Sequence, residues 1–287
     1  MYIFTDIYIY FYRYIYIYDY KIYMINPTSK NALTNVLKAM NIYDEYIKCD
    51  NAFNHTCNIG DSVIELYALN DNIKVTSLTF QKITTHSYIH PDICLLTDLD
   101  TIIIGFCNVN GKIPDNIGNL SKLQTLYLFH GNLSGSIPKS MSNLTRLTGL
   151  SFDNNKLSGS VEVLNNLSKL TYLVISNNNF TGELPKNIFN NSFTKYTIYM
   201  NNNNFTGNIP IEIKNVSVNI ILDNNCLKIT KTVATAIKNN KNIGLNNNNI
   251  STKVGNEYGL RINSQRYSCN PQYTIYFNNR TGCHNMN

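Results

Sequence analysis

The chain contains no tryptophan among its 287 residues, and only 7 prolines and 14 glycines. It has no glycine-rich loop followed by lysine: "GNLSGS" lacks the lysine that a phosphate cradle requires. It has no CxxC pair and no His/Cys cluster, so a structural or catalytic metal is not expected. The five histidines, His55, His86, His90, His130 and His284, form no catalytic motif, and acidic residues are sparse and unpaired through the middle of the chain. Charged residues interrupt every apolar run at the N-terminus (Asp6, Arg13, Asp19 and Lys21), which rules against a clean membrane span or signal peptide there. No transmembrane helix, no cofactor, no nucleic-acid partner and no enzymatic activity are therefore expected.

Asn, Tyr and Ile are abundant, and 43% of the residues are hydrophobic, enough for a sizeable core. The net charge of +6 is uneven. Residues 1–222 carry 16 basic and 16 acidic side chains, and residues 223–287 carry 8 and 2. Residues 1–26 are a low-complexity Tyr/Ile segment ("IYIYFYRYIYIYDYKIY"), read as disordered or as the product of a TA-repeat tract, with Met24 or a missing exon as the natural start. A degenerate secretion or anchor signal is the alternative. Residues 27–73 read as an N-terminal cap. Leu33, Val36, Leu37, Met40 and Tyr43 recur at helical spacing behind Thr28 or Ser29 as N-cap, and Cys49 and Cys57 follow.

The rest of the chain repeats itself. Gly111, Gly135, Gly159, Gly182 and Gly207 are separated by 24, 24, 23 and 25 residues. Counting back from each, apolar residues stand at −9, −7 and −2, in the first four copies also at −12, and often Asn at −4. Weaker copies extend the pattern to residues 74–252, about eight in all, with residues 253–287 as a C-terminal cap. A period in the twenties means a solenoid, because no single copy can bury its apolar face and neighbours must stack. "LxLxxN" is a short strand whose flanking apolar residues point inward, followed by a bend where Asn satisfies backbone groups. Asn155, Asn178, Asn203, Asn225 and Asn248 are the expected ladder; Cys107 and Gly131 occupy the same position in earlier copies.

"LSGSIP", "FTGELP" and "FTGNIP" resemble the plant-type leucine-rich repeats of receptor-like kinase ectodomains and polygalacturonase-inhibiting proteins. The resemblance implies an α/β fold: a right-handed horseshoe or arc with a parallel β-sheet on the concave face and flanking caps. It also implies a second short strand or extended stretch after the Gly and Ile-Pro. In extracellular members it implies cap disulfides, here Cys49–Cys57 and Cys269–Cys283. Cys107 reads as a buried thiol, with Cys94 and Cys226 too far apart to pair. Eleven Asn-x-Ser/Thr sequons agree weakly with secretion, since most belong to the repeat itself. An extracellular or cell-surface monomer is the expectation, with a cytoplasmic protein carrying seven reduced cysteines left open.

Strand periodicity nominates the binding surface. Ile103, Tyr127, Phe129, Tyr172, Val174 and Tyr199 would form an exposed apolar-aromatic stripe on the concave face. The expected function is non-enzymatic recognition of a protein or glycan partner there. Two alternatives stand beside it: an electrostatic binder of acidic polysaccharide or membrane surface through the basic C-terminal end, and a decayed paralogue without function.

Overall fold

The computed structural model describes residues 27–41, 48–49, 55–59, 62–69, 72–190, 197–216, 219–260 and 262. The low-complexity N-terminus, residues 191–196 and most of the expected C-terminal cap lie outside them.

Two sheets run the length of the array. The principal sheet has eleven strands. Eight of them, from Asn72–Gln81 through Thr101–Gly105, Thr125–Phe129, Gly149–Ser151, Tyr172–Val174, Thr197–Tyr199 and Ile220–Ile221 to Ile243–Gly244, pair in parallel in the order of the sequence. That is the register the repeat predicts, with the expected strands trimmed at some ends. Alternation sends one apolar set inward: Ile102 and Ile104, Leu126 and Leu128, Leu150 and Phe152, Leu173 and Ile175 are all buried. Three antiparallel strands, Lys48–Cys49, His55–Ile59 and Ser62–Leu69, extend this sheet at its N-terminal edge. Periodicity does not point to them, because they carry no repeat.

The second sheet has six shorter strands, from Ser87–Tyr88 to Asn204–Phe205. The anchor glycines sit at the ends of these strands or just inside or beyond them, rather than leading into them as the resemblance implied. The reason is conformational. Gly111, Gly135, Gly159, Gly182 and Gly207 have φ between 79° and 88°, a region that excludes most side chains. The chain then turns onto the convex side. Pro138, Pro185 and Pro210 stand immediately before short 3-10 helices, supplying a fixed φ where an amide donor is not needed. Val161 and Glu162 hold this place in one copy, and the 3-10 helix Glu162–Asn166 forms without the proline.

The ladder is present. Asn178 donates from Nδ2 to the carbonyl of Phe152 at 2.8 Å and accepts the Leu157 amide on Oδ1 at 3.0 Å. Asn155, Asn203, Asn225 and Asn248 repeat the pattern. Each therefore completes the backbone of the copy before its own. Cys107 substitutes partly, with its thiol 3.2 Å from the Gly105 carbonyl; burial pushes that thiol up. Gly131 supplies no side chain, so the ladder has a gap. A Cβ there would lie 3.0 Å from Asn155 Oδ1, a contact requiring a few tenths of an ångström of relief. Gly131→Asn is expected to fill the gap and remove glycine's unfolded-state entropy, adding about 1 kcal/mol. Thermal unfolding should show a rise of about 2–4 °C; a fall would show that the space is too small.

The open ends are closed by helices. α1 (Pro27–Ala39) buries Leu33, Val36 and Leu37, with Met40 beyond it, against the first copy, and Asn35 donates to Asp92 at 2.7 Å. The helix begins at Pro27, so Thr28 and Ser29 lie within its first turn and do not cap it. At the other end, α2 (Lys231–Ala236) and α3 (Thr252–Tyr258) are capped by Thr230 and Ser251.

Candidate functional site

Outward rows of the principal sheet place the predicted residues. Tyr127 and Tyr199 share one row: Tyr127 is opposite Ser151, Ser151 is opposite Val174, and Val174 is opposite Tyr199. Tyr172 stands one row earlier, opposite Gly149. The Tyr127 and Tyr172 rings lie 5.5 Å apart at 50°. Gly149 makes room for this pair, since a Cβ there would come within 2.7 Å of the Tyr127 hydroxyl. Tyr172 is 38% exposed, whereas Tyr127 and Tyr199 are half-buried.

Val174 departs from the expected stripe. It is only 8% exposed, and Ser151 beside it 4%. A short side chain among taller tyrosines loses its access to solvent, so Val174 is floor and not contact surface.

Ile103 is half-buried on the row of Tyr127. Phe129 joins a different cluster. Its ring fills the space over Gly105, where a Cβ would meet it at 2.3 Å. Phe106 packs edge-on against Phe129 at 5.4 Å and stacks on His130 at 4.6 Å. Neither Phe106 nor His130 was nominated from the sequence. Both occupy the bend after the strand, with φ of 54° and 50°, where later copies place Asn154, Asn177, Asn202, Asn224 and Asn247. Bulky aromatics are uncommon in that conformation, and that mismatch with the repeat was the available signal. Phe106 is 56% exposed.

Asp153 follows the strand Gly149–Ser151. It accepts from Ser151 Oγ at 2.5 Å and from Asn154 Nδ2 at 2.7 Å, and lies 3.7 Å from His130 Nε2. Burial raises the Tyr127 hydroxyl's pKa, and burial with the neighbouring charges, Asp153 among them, raises that of Tyr172. Both phenols stay protonated through neutral pH. At the opposite margin of the sheet, Lys74 and Lys122 converge on Asp98 at 3.3 and 2.5 Å. Burial alone would raise the Asp98 pKa, but the two ammonium groups outweigh it and hold it below the ordinary range.

Among the described residues, no group of His, Cys, Asp and Glu could hold a metal, and no helix is long and apolar enough to cross a membrane. His90 caps the 3-10 helix Pro91–Leu95 through its ring, accepting the Asp92 amide. Cys94 and Cys107 are buried free thiols, and Cys226 Sγ lies 3.7 Å from Asn204 Oδ1. The backbone register puts Cys49 opposite Cys57 on antiparallel strands. Their side chains, together with Cys269 and Cys283, lie outside the described residues.

The Leucine Rich Repeat family model matches residues 122–144 and 169–191. No curated protein matches the chain in sequence. Among solved structures, PEPR1–AtPEP1 is 27% identical, with a TM-score of 0.60 over 77% of this chain and 32% of that one. A TDR receptor is 30% identical, with a TM-score of 0.54 over 61% of this chain and 31% of the other. The ectodomain of the Arabidopsis thaliana membrane receptor kinase GASSHO1/SCHENGEN3, in complex with CASPARIAN STRIP INTEGRITY FACTOR 2, shares the fold at 21% identity. Its TM-score is 0.60 over 81% of this chain and 29% of the other. The chain thus spans about a third of the length of each of these three. The parallel register, the asparagine ladder and these matches agree: the chain has a leucine-rich-repeat fold and resembles the plant-type members of that family.

Proposed function

We propose that the chain is a non-enzymatic recognition protein that holds an extended polypeptide segment across its concave face. The observation that carries this reading is the tyrosine group. Tyr127 and Tyr199 share a row three copies apart, about 14 Å on a flat sheet, with Tyr172 between their strands. Tyrosine offers an apolar face and a hydroxyl at low entropic cost, which suits a recognition surface. The same fold in a plant peptide hormone receptor, RGFR1 in complex with RGF2, supports a polypeptide partner over a glycan. The same fold in the GASSHO1/SCHENGEN3 ectodomain supports an extracellular setting as well.

Arrays of synthetic peptides and of glycans, probed with purified residues 27–287, test the reading. Peptides captured by wild type are expected to be lost by Tyr127→Ala/Tyr199→Ala, with binding weakened by about 2 kcal/mol or more. Capture unaffected by that double variant would transfer the role to the basic C-terminal end; capture of glycans alone would replace the polypeptide. In an oxidising compartment, Cys49–Cys57 and Cys269–Cys283 are proposed to be bridged. Non-reducing peptide mapping of secreted protein should recover both cross-links, and four free thiols would reject them and the extracellular assignment together.

A further inference from the structure

We infer that Tyr127, Tyr172 and Tyr199, closed at one end by Asp153, form an aromatic cage for a cationic side chain, the guanidinium or ammonium group of an arginine or lysine in the bound polypeptide. The inference deepens the recognition reading and rests on it.

Placement is the first ground. The three rings come from three parallel strands: Thr125–Phe129, Tyr172–Val174 and Thr197–Tyr199. Gly149 and Ser151, on the strand between the first two, add almost no height. Ser151 and Val174 are buried beneath the rings, and Asp153 follows Ser151 on the next row, tied to it through the Ser151 hydroxyl. A cation over a tyrosine face is attracted by the ring quadrupole, more strongly when water is reduced around it.

Charge is the second ground. Between Thr101 and Asn246 the three outward rows carry two charged side chains, Asp153 and Asp223, both acidic. Lys74, Lys122 and Arg146 stand at the far margin of this face beside Asp98 and Asp100, and Asp98 engages the two lysines. Asp153 has His130 at 3.7 Å, which is charged only when protonated. Ser151 and Asn154 give each carboxylate oxygen a neutral hydrogen bond but leave its charge uncompensated. The side chain is only 18% exposed. A half-desolvated anion beside neutral aromatic faces selects for positive charge. A neutral sugar would satisfy hydrogen bonds that Asp153 already has and leave the charge as it is.

The test uses the full chain carrying 13C-labelled tyrosine, titrated with N-acetyl-arginine N-methylamide and with its neutral isostere, N-acetyl-citrulline N-methylamide. The arginine compound is expected to shift the ring signals of Tyr127, Tyr172 and Tyr199 and to bind at least about fivefold tighter than the citrulline compound. Asp153→Asn, which keeps the shape and an acceptor, should abolish that preference, and Tyr172→Leu should weaken arginine binding. Asp223→Asn, outside the cage, should leave the preference intact. Equal binding of the two compounds, binding of neither, or tighter binding of cellobiose overturns the cage. Array peptides that need Tyr127 and Tyr199 but no positive charge would refute the cage and leave recognition standing. A cage that prefers arginine while no peptide is captured would do the reverse.

Discussion

Leu128→Ala is expected to lower the unfolding free energy by about 2–5 kcal/mol, whereas Tyr127→Ala with Tyr199→Ala should cost about 1 kcal/mol or less. Leu128 is 2% exposed and belongs to the continuous core that runs through every copy. Removing its branched end leaves a cavity that stacked neighbours on both sides can only partly close, because each is held by its own strand pairing. Tyr127 is adjacent in sequence but faces the other side of the sheet, where its loss uncovers Gly149 and one side of the Tyr172 ring without opening the core. Denaturant midpoints for the three proteins would read the difference directly. An unfolded double tyrosine variant beside an unaffected Leu128→Ala would put the register off by one residue.

Asn178→Ala should remove about 3 kcal/mol. Asn178 is 5% exposed, and its amide serves two copies at once. It accepts the Leu157 amide and donates to the Phe152 carbonyl across the interface, and reaches the Ser176 carbonyl within its own bend at 3.1 Å. Alanine would leave a buried N–H without a partner, at about 1–3 kcal/mol, and forfeit the bonds to the carbonyls. Asn178→Asp should be no better, because a carboxylate cannot donate and must carry charge into the core. Hydrogen exchange gives a site-specific check: the Leu157 amide should lose protection more than its neighbours do. An alanine variant as stable as wild type would show that backbone pairing alone holds the copies together.

The copies were legible because their constraints are periodic. A strand that buries every second residue, a bend that needs an amide and a turn that needs positive φ each leave a mark every two dozen residues. The stack repeats those marks until chance is excluded. The antiparallel strands ahead of Asn72 were not legible for the opposite reason: "CNIGDSVIELYAL" occurs once, and its pairing depends on the edge that the first copy offers. The face was legible by row but not by height. Register places Val174 beside Tyr199, yet burial depends on how tall its neighbours are, which a row does not show. Phe106 and His130 were passed over because they stand on the bend, where the eye for strand alternation does not look, though their stacking follows from the same repeat spacing that aligns the asparagines.

The ladder has a direction. Every amide reaches back to the preceding copy, and along the bends Asn202, Asn224 and Asn247 likewise each donate to the asparagine one copy earlier. The last of these, Asn247, keeps a buried Oδ1 that no described residue satisfies. On the ribosome the chain emerges N-terminus first, so a newly made coil stays open until its successor has been synthesised and can supply the closing amide. The folding front should therefore trail translation by a full coil. A stall within the array would leave the newest coil, and not the oldest, as the one exposed to chaperones and proteases.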